Sequence, residues 1–292
     1  MNRIKGILYA AVSSSTFGLA PFFSITLLLA GLSAFEVLSY RWGVASIVLI
    51  VFGWLSGCNF RLAGKDWGVV FLLSLLRAVT SFSLIIAYQN IASGVASTIH
   101  FMYPLAVALA MMFFFREKKS LLVILAVLMS LLGAALLSLG ELEAKSGNTM
   151  VGLVAACVSV FSYAGYIVGV RTTRVVQINS TALTCYVMGL GTIFYLIGAY
   201  CTSGLQLVSD GYTWLIILGL ALPATAISNI TLVQAIKYAG PTLTSILGAM
   251  EPLTAVVIGV FVFKELFTVN SAVGIILILL AVSIVVFRRQ KS

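Results

Sequence analysis

The chain consists almost entirely of long apolar segments joined by short connections, and this pattern restricts it to a membrane. A helix needs about 20 mostly apolar residues to cross a bilayer. Only 9% of the residues are charged and 61% are hydrophobic, whereas a soluble domain carries about 25% charged residues. Disorder requires the opposite composition, and a transmembrane β-barrel alternates apolar and polar residues. The ten predicted spans are 5–29, 33–56, 67–90, 94–115, 120–140, 149–171, 180–201, 212–236, 242–263 and 269–287. We therefore predict an all-α polytopic membrane protein with ten transmembrane helices.

The basic residues predict the orientation of these helices. If the N-terminus is cytoplasmic, most of the 17 Lys and Arg residues fall in cytoplasmic loops. We place only Lys145 and Lys237 in loops on the opposite side. This asymmetry follows the positive-inside rule, so we expect a multi-pass plasma (inner) membrane protein with both termini cytoplasmic. The net charge of +9 then reflects orientation, and no nucleic-acid partner is expected.

The second half of the sequence repeats the first. Tyr103-Pro104-Leu105 corresponds to Glu251-Pro252-Leu253, and the corner Phe115-Arg116-Glu117 corresponds to Phe263-Lys264-Glu265. Earlier in the halves, Tyr40 corresponds to Tyr186. We predict two five-helix repeats, residues 1–143 and 144–292. Because five is odd, the second repeat enters the membrane from the opposite face. Inverted repeats are typical of transporters whose site lies near the midplane, between the halves.

These motifs make the chain similar to the EamA branch of the drug/metabolite transporter (DMT) superfamily. The resemblance rests on the two Pro-Leu pairs, the two corners, Arg41 early in the second helix and the Glu251-Pro252 pair, and it covers nearly the whole chain. It implies a ten-helix fold and the transport of a small metabolite. It implies no particular cargo, because the superfamily spans amino acids, nucleosides, vitamins, choline and drugs. The first repeat departs from the pattern with Tyr103 in place of an acid, so any carboxylate chemistry is one-sided.

A few ionisable residues lie inside the predicted spans, where each costs about 2.5–3.5 kcal/mol and is a functional candidate by default. Arg77 and Glu251 lie near the middle of their spans, and His100 lies about 9 Å into the fourth span. Two roles are open for Arg77, a salt bridge to Glu251 across the halves or the binding of a substrate anion. Arg41 lies nearer the membrane surface. We expect it to be structural, either paired with Glu36 or acting as a hydrogen-bonded helix brace.

Further polar and aromatic side chains lie at helical spacing on these spans, most clearly in the sixth. We therefore predict a cavity lined by the first, third, fourth, sixth, eighth and ninth spans. Pro104 and Pro252 are expected to interrupt their helices, because each removes a backbone N–H. Glu117 and Glu265 are expected to be structural corner residues. The candidate substrate-binding residues are Arg77, Glu251, His100, Tyr163, Tyr166, Ser162, Asn229, Ser228, Thr16 and Phe17.

The predicted function is that of a secondary transporter working by alternating access. Glu251 is the first candidate for a proton carrier, and His100 is the second because an imidazole changes its charge near neutral pH. A substrate carboxylate that binds Arg77 would release Glu251 for protonation. This favours an amino acid or another small carboxylate as cargo.

The alternative cargo is an organic cation or drug-like molecule held by Glu251 and by aromatic rings through cation–π contacts. Those rings belong to Phe17, Phe101, Tyr163 and Tyr166. The expected partners are the substrate and the lipid bilayer, and neither a monomer nor a homodimer is preferred.

No motif predicts catalysis, a metal or a cofactor. The four cysteines lack metal or redox spacing, and no Gly-rich phosphate-binding loop indicates ATP hydrolysis. A membrane-embedded hydrolase is disfavoured because the chain has one histidine and no paired acid in a neighbouring span. A non-transporting scaffold is disfavoured because it needs neither inverted symmetry nor a polar midplane.

Overall fold

All regular secondary structure in the described part of the computed structural model is helical, and no strand occurs there. The structure describes all residues except 1, 92, 118–119, 139–146, 203, 252, 255–256, 258–267 and 289–292. The helices are α1 (Asn2–Phe17), α2 (Ala20–Leu29), α3 (Ala34–Leu55), α4 (Trp67–Asn90), α5 (Ser93–His100), α6 (Tyr103–Phe113), α7 (Leu121–Ser138), α8 (Thr149–Thr172), α9 (Ser180–Thr202), α10 (Gly211–Ala221), α11 (Ser228–Ala239), α12 (Pro241–Leu247) and α13 (Val269–Arg288). A π-helical segment, Leu222–Ile227, joins α10 to α11 without a break. The predicted all-α class is confirmed.

Among the described residues, 7 helical segments are long and apolar enough to cross a membrane. They correspond to the first four and the sixth to eighth predicted spans. The fifth and tenth predicted spans correspond to α7 and α13, in which the described apolar stretches are Leu121–Gly133 and Ala272–Ile284. The ninth begins with α12, and much of its remainder lies outside the described residues. The count of ten spans therefore stays a prediction. The boundary between the two repeats, at residues 143 and 144, also stays a prediction because it lies outside the described residues.

Several spans are interrupted or distorted close to proline residues. Pro21 lies in the first turn of α2, just after a break that separates α2 from α1. Pro104 has the same position in α6, after a break that separates it from α5. Pro223 lies in the π-helical segment. A proline removes an intrahelical hydrogen bond and clashes with the preceding turn, so regular helix ends near it. Pro252 lies outside the described residues.

Helices of one repeat pack against helices of the other. The largest contacts are α4 with α8, α7 with α13, α1 with α11 and α3 with α9. The last pair joins the second spans of the two repeats, and it is tight at one point. A Cβ on Gly191 would lie 2.1 Å from the indole of Trp42, so only glycine allows this approach. Contacts between equivalent helices are expected when a pseudo-two-fold axis relates the repeats.

At one end of the bundle, Tyr40 of α3 contacts the loop between α9 and α10 and the start of α10. Its hydroxyl donates to the carbonyl of Gln206 at 2.5 Å, and its ring meets Trp214 edge-on with centroids 5.8 Å apart. The carboxylate of Glu36 accepts from the Gln206 N–H at 2.7 Å. We call this arrangement the Tyr40 loop contact.

At the other end, Tyr186 of α9 makes the equivalent contact in the second repeat. Its hydroxyl donates to the carbonyl of Phe60 in the connection between α3 and α4. Its ring meets Trp67 edge-on with centroids 5.5 Å apart. We call this the Tyr186 loop contact. At each end of the bundle, a tyrosine of one repeat is thus hydrogen-bonded to a loop of the other.

The ends of the helices correct one sequence-based placement. Arg171 donates to the carbonyl of Lys237 at 3.3 Å, and the Lys237 ammonium donates to the carbonyl of Ile178. Lys237 therefore lies at the same end as Arg171, and its placement on the opposite side is wrong. The physical reason is that the segment Gly211–Ala239 crosses the bundle once. It begins at the end opposite to Arg171 and finishes at the same end as Arg171, which is where the eighth of the ten predicted spans must finish. Lys145 lies outside the described residues.

Glu117 lies at the corner after α6 and contacts the second repeat. Its carboxylate accepts from the Thr242 hydroxyl at 2.5 Å, in the first turn of α12. A carboxylate is favourable near the N-terminus of a helix, so this contact ties the corner to α12. Glu265, its counterpart, lies outside the described residues.

Candidate functional site

Arg77 lies at the centre of the protein. It is eleven residues into α4 (Trp67–Asn90), and a rise of 1.5 Å per residue places it about 15 Å from the start of the helix, half the thickness of a hydrocarbon core. Its side chain is only 1% exposed. The Nε donates to Asn229 Oδ1 at 3.1 Å, and Asn229 is itself fixed by donation from Nδ2 to the Thr225 carbonyl at 2.8 Å.

Aromatic rings surround the Arg77 guanidinium. Its Cζ lies 4.8 Å from the ring centroid of Tyr163, 5.3 Å from that of Phe17 and 5.9 Å from that of Tyr166. Cation–π contacts of this kind stabilise a charge that has left water. The buried Nη1 has no hydrogen-bond partner within the described part of the chain. The guanidinium is therefore positioned by its Nε and keeps a donor available.

Glu251 follows α12 and is also buried, at 7% exposure. Its carboxyl group is hydrogen-bonded to the hydroxyl of Tyr103. Gly248 makes this possible, because a Cβ at that position would lie 1.7 Å from the Tyr103 hydroxyl. Arg77 and Glu251 are near enough to attract each other electrostatically, but the described residues form no ion pair between them. The salt bridge, one of the two roles considered for Arg77, is not formed in this conformation.

His100 is buried beside the same aromatic group. Its ring stacks on Tyr163 with centroids 5.4 Å apart, and its Nδ1 lies 2.8 Å from the Ser159 hydroxyl. That hydroxyl donates its proton to the carbonyl of Ala156, so Nδ1 is the donor to Ser159. The buried Nε2 has no partner among the residues described. In a neutral imidazole whose proton is on Nδ1, the Nε2 atom is an acceptor that can bind a proton or a hydrogen-bond donor of a ligand.

Two other predicted site residues connect helices. Ser162 accepts from Thr80 at 2.9 Å, linking α8 to α4. Ser228 and Ser13 each donate to the carbonyl of the other, at 3.1 and 2.8 Å, linking α11 to α1. Hydrogen bonds of this kind commonly hold membrane helices together.

The remaining predicted residues divide between the centre and the periphery. Phe17, Tyr163, Tyr166 and Asn229 meet at Arg77, as described above. Thr16 does not join them, because its hydroxyl donates to the carbonyls of Val12 and Ser13 in its own helix. The structure thus brings most of the predicted binding residues into one central cluster.

A small cavity lies against Arg77, on the side towards the end of α4. Its volume of about 20 Å³ suffices for a water molecule but not for a metabolite. It differs from the predicted cavity because it is formed by the first three spans. The polar groups of the sixth and eighth spans make hydrogen bonds and ring contacts with their neighbours instead of opening onto it. The lining includes Phe17, Ser24, Arg41, Arg77, Ser81 and Tyr88.

Arg41 lines this cavity although the sequence indicated only a structural role. It is 4% exposed, its Nε donates to Thr225 at 2.6 Å, and its Cζ lies 5.6 Å from the centroid of Phe17. Its buried Nη2 finds no partner within the described ranges. Thr225 makes Arg41 a helix brace, as one expectation had it.

The other expectation for Arg41, an ion pair with Glu36, is not met in the described part of the structure. The Glu36 carboxylate accepts from the N–H groups of Ser33 and Gln206. Residues five apart leave a helix on different faces, whereas pairs three or four apart meet. The five-residue spacing of Glu36 and Arg41 could therefore have shown from the sequence that these two side chains do not pair.

Comparison with known proteins identifies the family. The sequence profile of the EamA-like transporter family matches residues 4–139 and 150–287, one match in each half. A solved structure described only as a crystal structure of a protein superposes with a TM-score of 0.78 over 97% of this chain and 96% of that chain. Its sequence identity of 17% restricts this likeness to the fold. No curated protein matches the chain in sequence. Two family matches that together cover nearly the whole chain show that this protein belongs to the EamA-like transporters of the DMT superfamily, which are multi-pass membrane transporters of small molecules.

Proposed function

We propose that this protein is a secondary transporter that moves a small carboxylate-bearing metabolite by alternating access. The observation that carries the proposal is the state of Arg77. Its guanidinium is buried halfway through the bundle, without an ion pair among the described residues, and its Nη1 is unpaired. A buried charge without a partner is costly. A substrate carboxylate would supply both the opposite charge and the missing acceptors.

An organic cation is the second candidate, because Glu251 lies near aromatic rings. The contacts favour it less. The rings of Phe17, Tyr163 and Tyr166 already face the guanidinium of Arg77, so a second cation there would meet a like charge. An anionic or zwitterionic cargo therefore suits the cluster better.

Alternating access is supported by a matching contact between the repeats at each end of the bundle. The Tyr40 and Tyr186 loop contacts are equivalents in the two repeats, and each joins a helix of one repeat to a loop of the other. Opening one contact while the other stays closed would expose the centre to one side at a time. In inverted-repeat transporters, rocking of one half against the other produces such an exchange.

Glu251 is the proposed proton carrier. It is buried, hydrogen-bonded to Tyr103 and within the electrostatic influence of Arg77. A substrate carboxylate that neutralises Arg77 would weaken the attraction that favours the ionised form of Glu251. Binding of cargo would then promote protonation of Glu251, and the two would cross together. His100, with its unpaired Nε2, is the second candidate.

The test is counter-flow in proteoliposomes that contain the purified protein and a panel of radiolabelled amino acids, small carboxylates and organic cations. We expect exchange of at least one carboxylate by the wild type and its loss in Arg77→Gln, which keeps a polar side chain opposite Asn229. The matched control is Arg171→Gln, since Arg171 lies at the end of the bundle, and it should exchange normally. Undiminished carboxylate exchange by a folded Arg77→Gln, or exchange of cations alone, would overturn the proposal.

A further inference from the structure

We propose that Arg41 and Arg77 together form one anion-binding site whose cargo carries two negative charges. The inference rests on the part of the proposed function in which Arg77 binds an anionic cargo, and it specifies that anion as one with two negative charges, either a dicarboxylate or a phosphate. It follows from three features of the two arginines: their shared cavity, their common support on the second repeat, and the lack of a compensating acid in the cavity lining.

The two side chains converge on the same small space. Both line the cavity beside α4, and both guanidinium groups lie against the ring of Phe17. Each is at least nine-tenths buried and leaves one terminal nitrogen unpaired in the described structure, Nη2 in Arg41 and Nη1 in Arg77. Two donors from different helices are thus available at one site.

Both arginines are hydrogen-bonded through Nε to one helical segment of the second repeat. Arg41 Nε binds Thr225 and Arg77 Nε binds Asn229. Thr225 and Asn229 are four residues apart in the continuous segment Gly211–Ala239 and are themselves hydrogen-bonded to each other. Each guanidinium is therefore fixed through its Nε and presents its outer nitrogens. Such preorganisation reduces the entropy lost on binding.

Two guanidinium groups line the cavity, so a ligand that neutralises both must carry two negative charges. The guanidinium groups are near enough to repel each other, and the described lining of the cavity contains no acidic residue. Glu251 lies outside this lining and is hydrogen-bonded to Tyr103, and in the proposed cycle it is protonated when cargo binds. A monocarboxylate would neutralise one arginine only. A zwitterionic amino acid would bring an ammonium group close to the other.

Two chemical forms satisfy this requirement. Guanidinium groups bind carboxylate and phosphate oxygens through paired hydrogen bonds. The cargo can therefore carry two separate carboxylates or one dianionic phosphate group. The small volume of the cavity means that it widens when the cargo enters.

The test is ligand-induced thermal stabilisation of the purified protein, titrated with succinate, inorganic phosphate, propionate and alanine at neutral pH. We expect succinate or phosphate to bind at least about tenfold more tightly than propionate, the effect of one added charge-assisted hydrogen bond. In Arg41→Gln this preference should disappear while propionate still binds through Arg77. Arg41→Lys, which keeps the charge, should retain the preference, and so should the distant control Arg171→Gln. Whether succinate or phosphate binds tells the two chemical forms apart.

Propionate binding by the wild type that is as tight as the binding of both succinate and phosphate, or an unchanged preference in Arg41→Gln, would overturn the two-arginine site. If monocarboxylates were then exchanged and Arg77→Gln abolished that exchange, the proposed transport function would stand without this inference. Stabilisation by organic cations, with no response to any of the anions, would refute both.

Discussion

Tyr103 and Glu251 occupy the same position in the two repeats, and their side chains are hydrogen-bonded to each other. A residue that contacts its own counterpart lies beside the axis that relates the two halves. In inverted repeats this axis lies in the plane of the membrane, so an inverted arrangement of the two halves would put the pair at the same depth from both faces. Glu251, the proposed proton carrier, would then be equally distant from the two sides.

The first prediction concerns proton coupling through Glu251. Glu251→Gln keeps the shape and a hydrogen bond to Tyr103 but cannot release a proton. We expect the variant to retain counter-flow of cargo, which needs no net proton movement, and to lose accumulation driven by a pH gradient. Both activities are measured in proteoliposomes with an acidic exterior.

The control for this prediction is Glu36→Gln. Glu36 is as buried as Glu251 but binds backbone N–H groups at the end of the bundle. Its substitution changes a contact at the Tyr40 end but removes no central carboxyl group, so accumulation should still depend on the pH gradient. Accumulation by Glu251→Gln at the wild-type rate would show that the proton moves elsewhere, with His100 as the next residue to test.

The second prediction concerns Gly248, which allows the Tyr103 hydroxyl to reach Glu251. In Gly248→Ala the new methyl group would lie 1.7 Å from the Tyr103 hydroxyl and must displace it. We expect a loss of about 1–3 kcal/mol in stability from overpacking. We also expect the same change in the pH dependence of transport as in Tyr103→Phe, because each variant removes the same hydrogen bond.

A double variant distinguishes this explanation from general damage. Tyr103→Phe removes the atom that the alanine methyl meets most closely, so Tyr103→Phe/Gly248→Ala should show the pH profile of Tyr103→Phe alone. Additive effects of the two substitutions on the pH profile would contradict the proposed connection.

The third prediction concerns the ends of the bundle. Tyr186→Phe removes the hydrogen bond to the Phe60 carbonyl and should favour opening at that end. Cys58 lies two residues before Phe60 and is a free, partly buried thiol. In a chain that retains only this cysteine, we expect a membrane-impermeant maleimide to label Cys58 faster after Tyr186→Phe. Tyr40→Phe is the matched control, because it weakens the contact at the opposite end and should slow labelling or leave it unchanged. Equal acceleration by both substitutions would count against separate opening of the two ends.

The fourth prediction concerns the reciprocal hydrogen bonds between Ser13 and Ser228. Each serine donates to the main-chain carbonyl of the other, so a change at one position disturbs the other. We expect Ser13→Ala and Ser228→Ala to destabilise the protein by roughly 0.6 to 2 kcal/mol each, the range for hydrogen bonds between membrane helices. Equilibrium unfolding in mixed micelles measures both. Thr231→Ala, whose hydroxyl binds only its own helix, should have a smaller effect.

The fold class could be predicted because apolar length and repetition are properties of the sequence itself. The clustering of Tyr163 and Tyr166 at the centre was also predictable, because their spacing puts them on one face of α8. Helical spacing shows which residues share a face but not which helix that face meets. For this reason Arg41 was expected only to be structural, paired with Glu36 or bracing a helix, and not to line the cavity beside Arg77.

The contact between Tyr103 and Glu251 illustrates the same limit. The alignment of the repeats made the two residues equivalent, but equivalence alone does not bring residues together. Contact depends on their distance from the pseudo-two-fold axis, which the packing of α6 and α12 determines. The placement of Lys237 failed for a simpler reason. With a cytoplasmic N-terminus, the eighth predicted span (212–236) ends on the cytoplasmic side, so the order of the spans already put Lys237 at the same end as Arg171.

The Tyr40 and Tyr186 loop contacts resemble each other closely, but Glu36 makes them unequal. Its carboxylate accepts a hydrogen bond from the loop at the Tyr40 end, whereas the corresponding position in the second repeat is Ala182, which can accept none. Duplication of a five-helix unit would by itself give two interchangeable conformations of equal free energy. One carboxylate at the rim breaks that equivalence, so in the proposed cycle we expect the Tyr40 end to open less readily than the Tyr186 end.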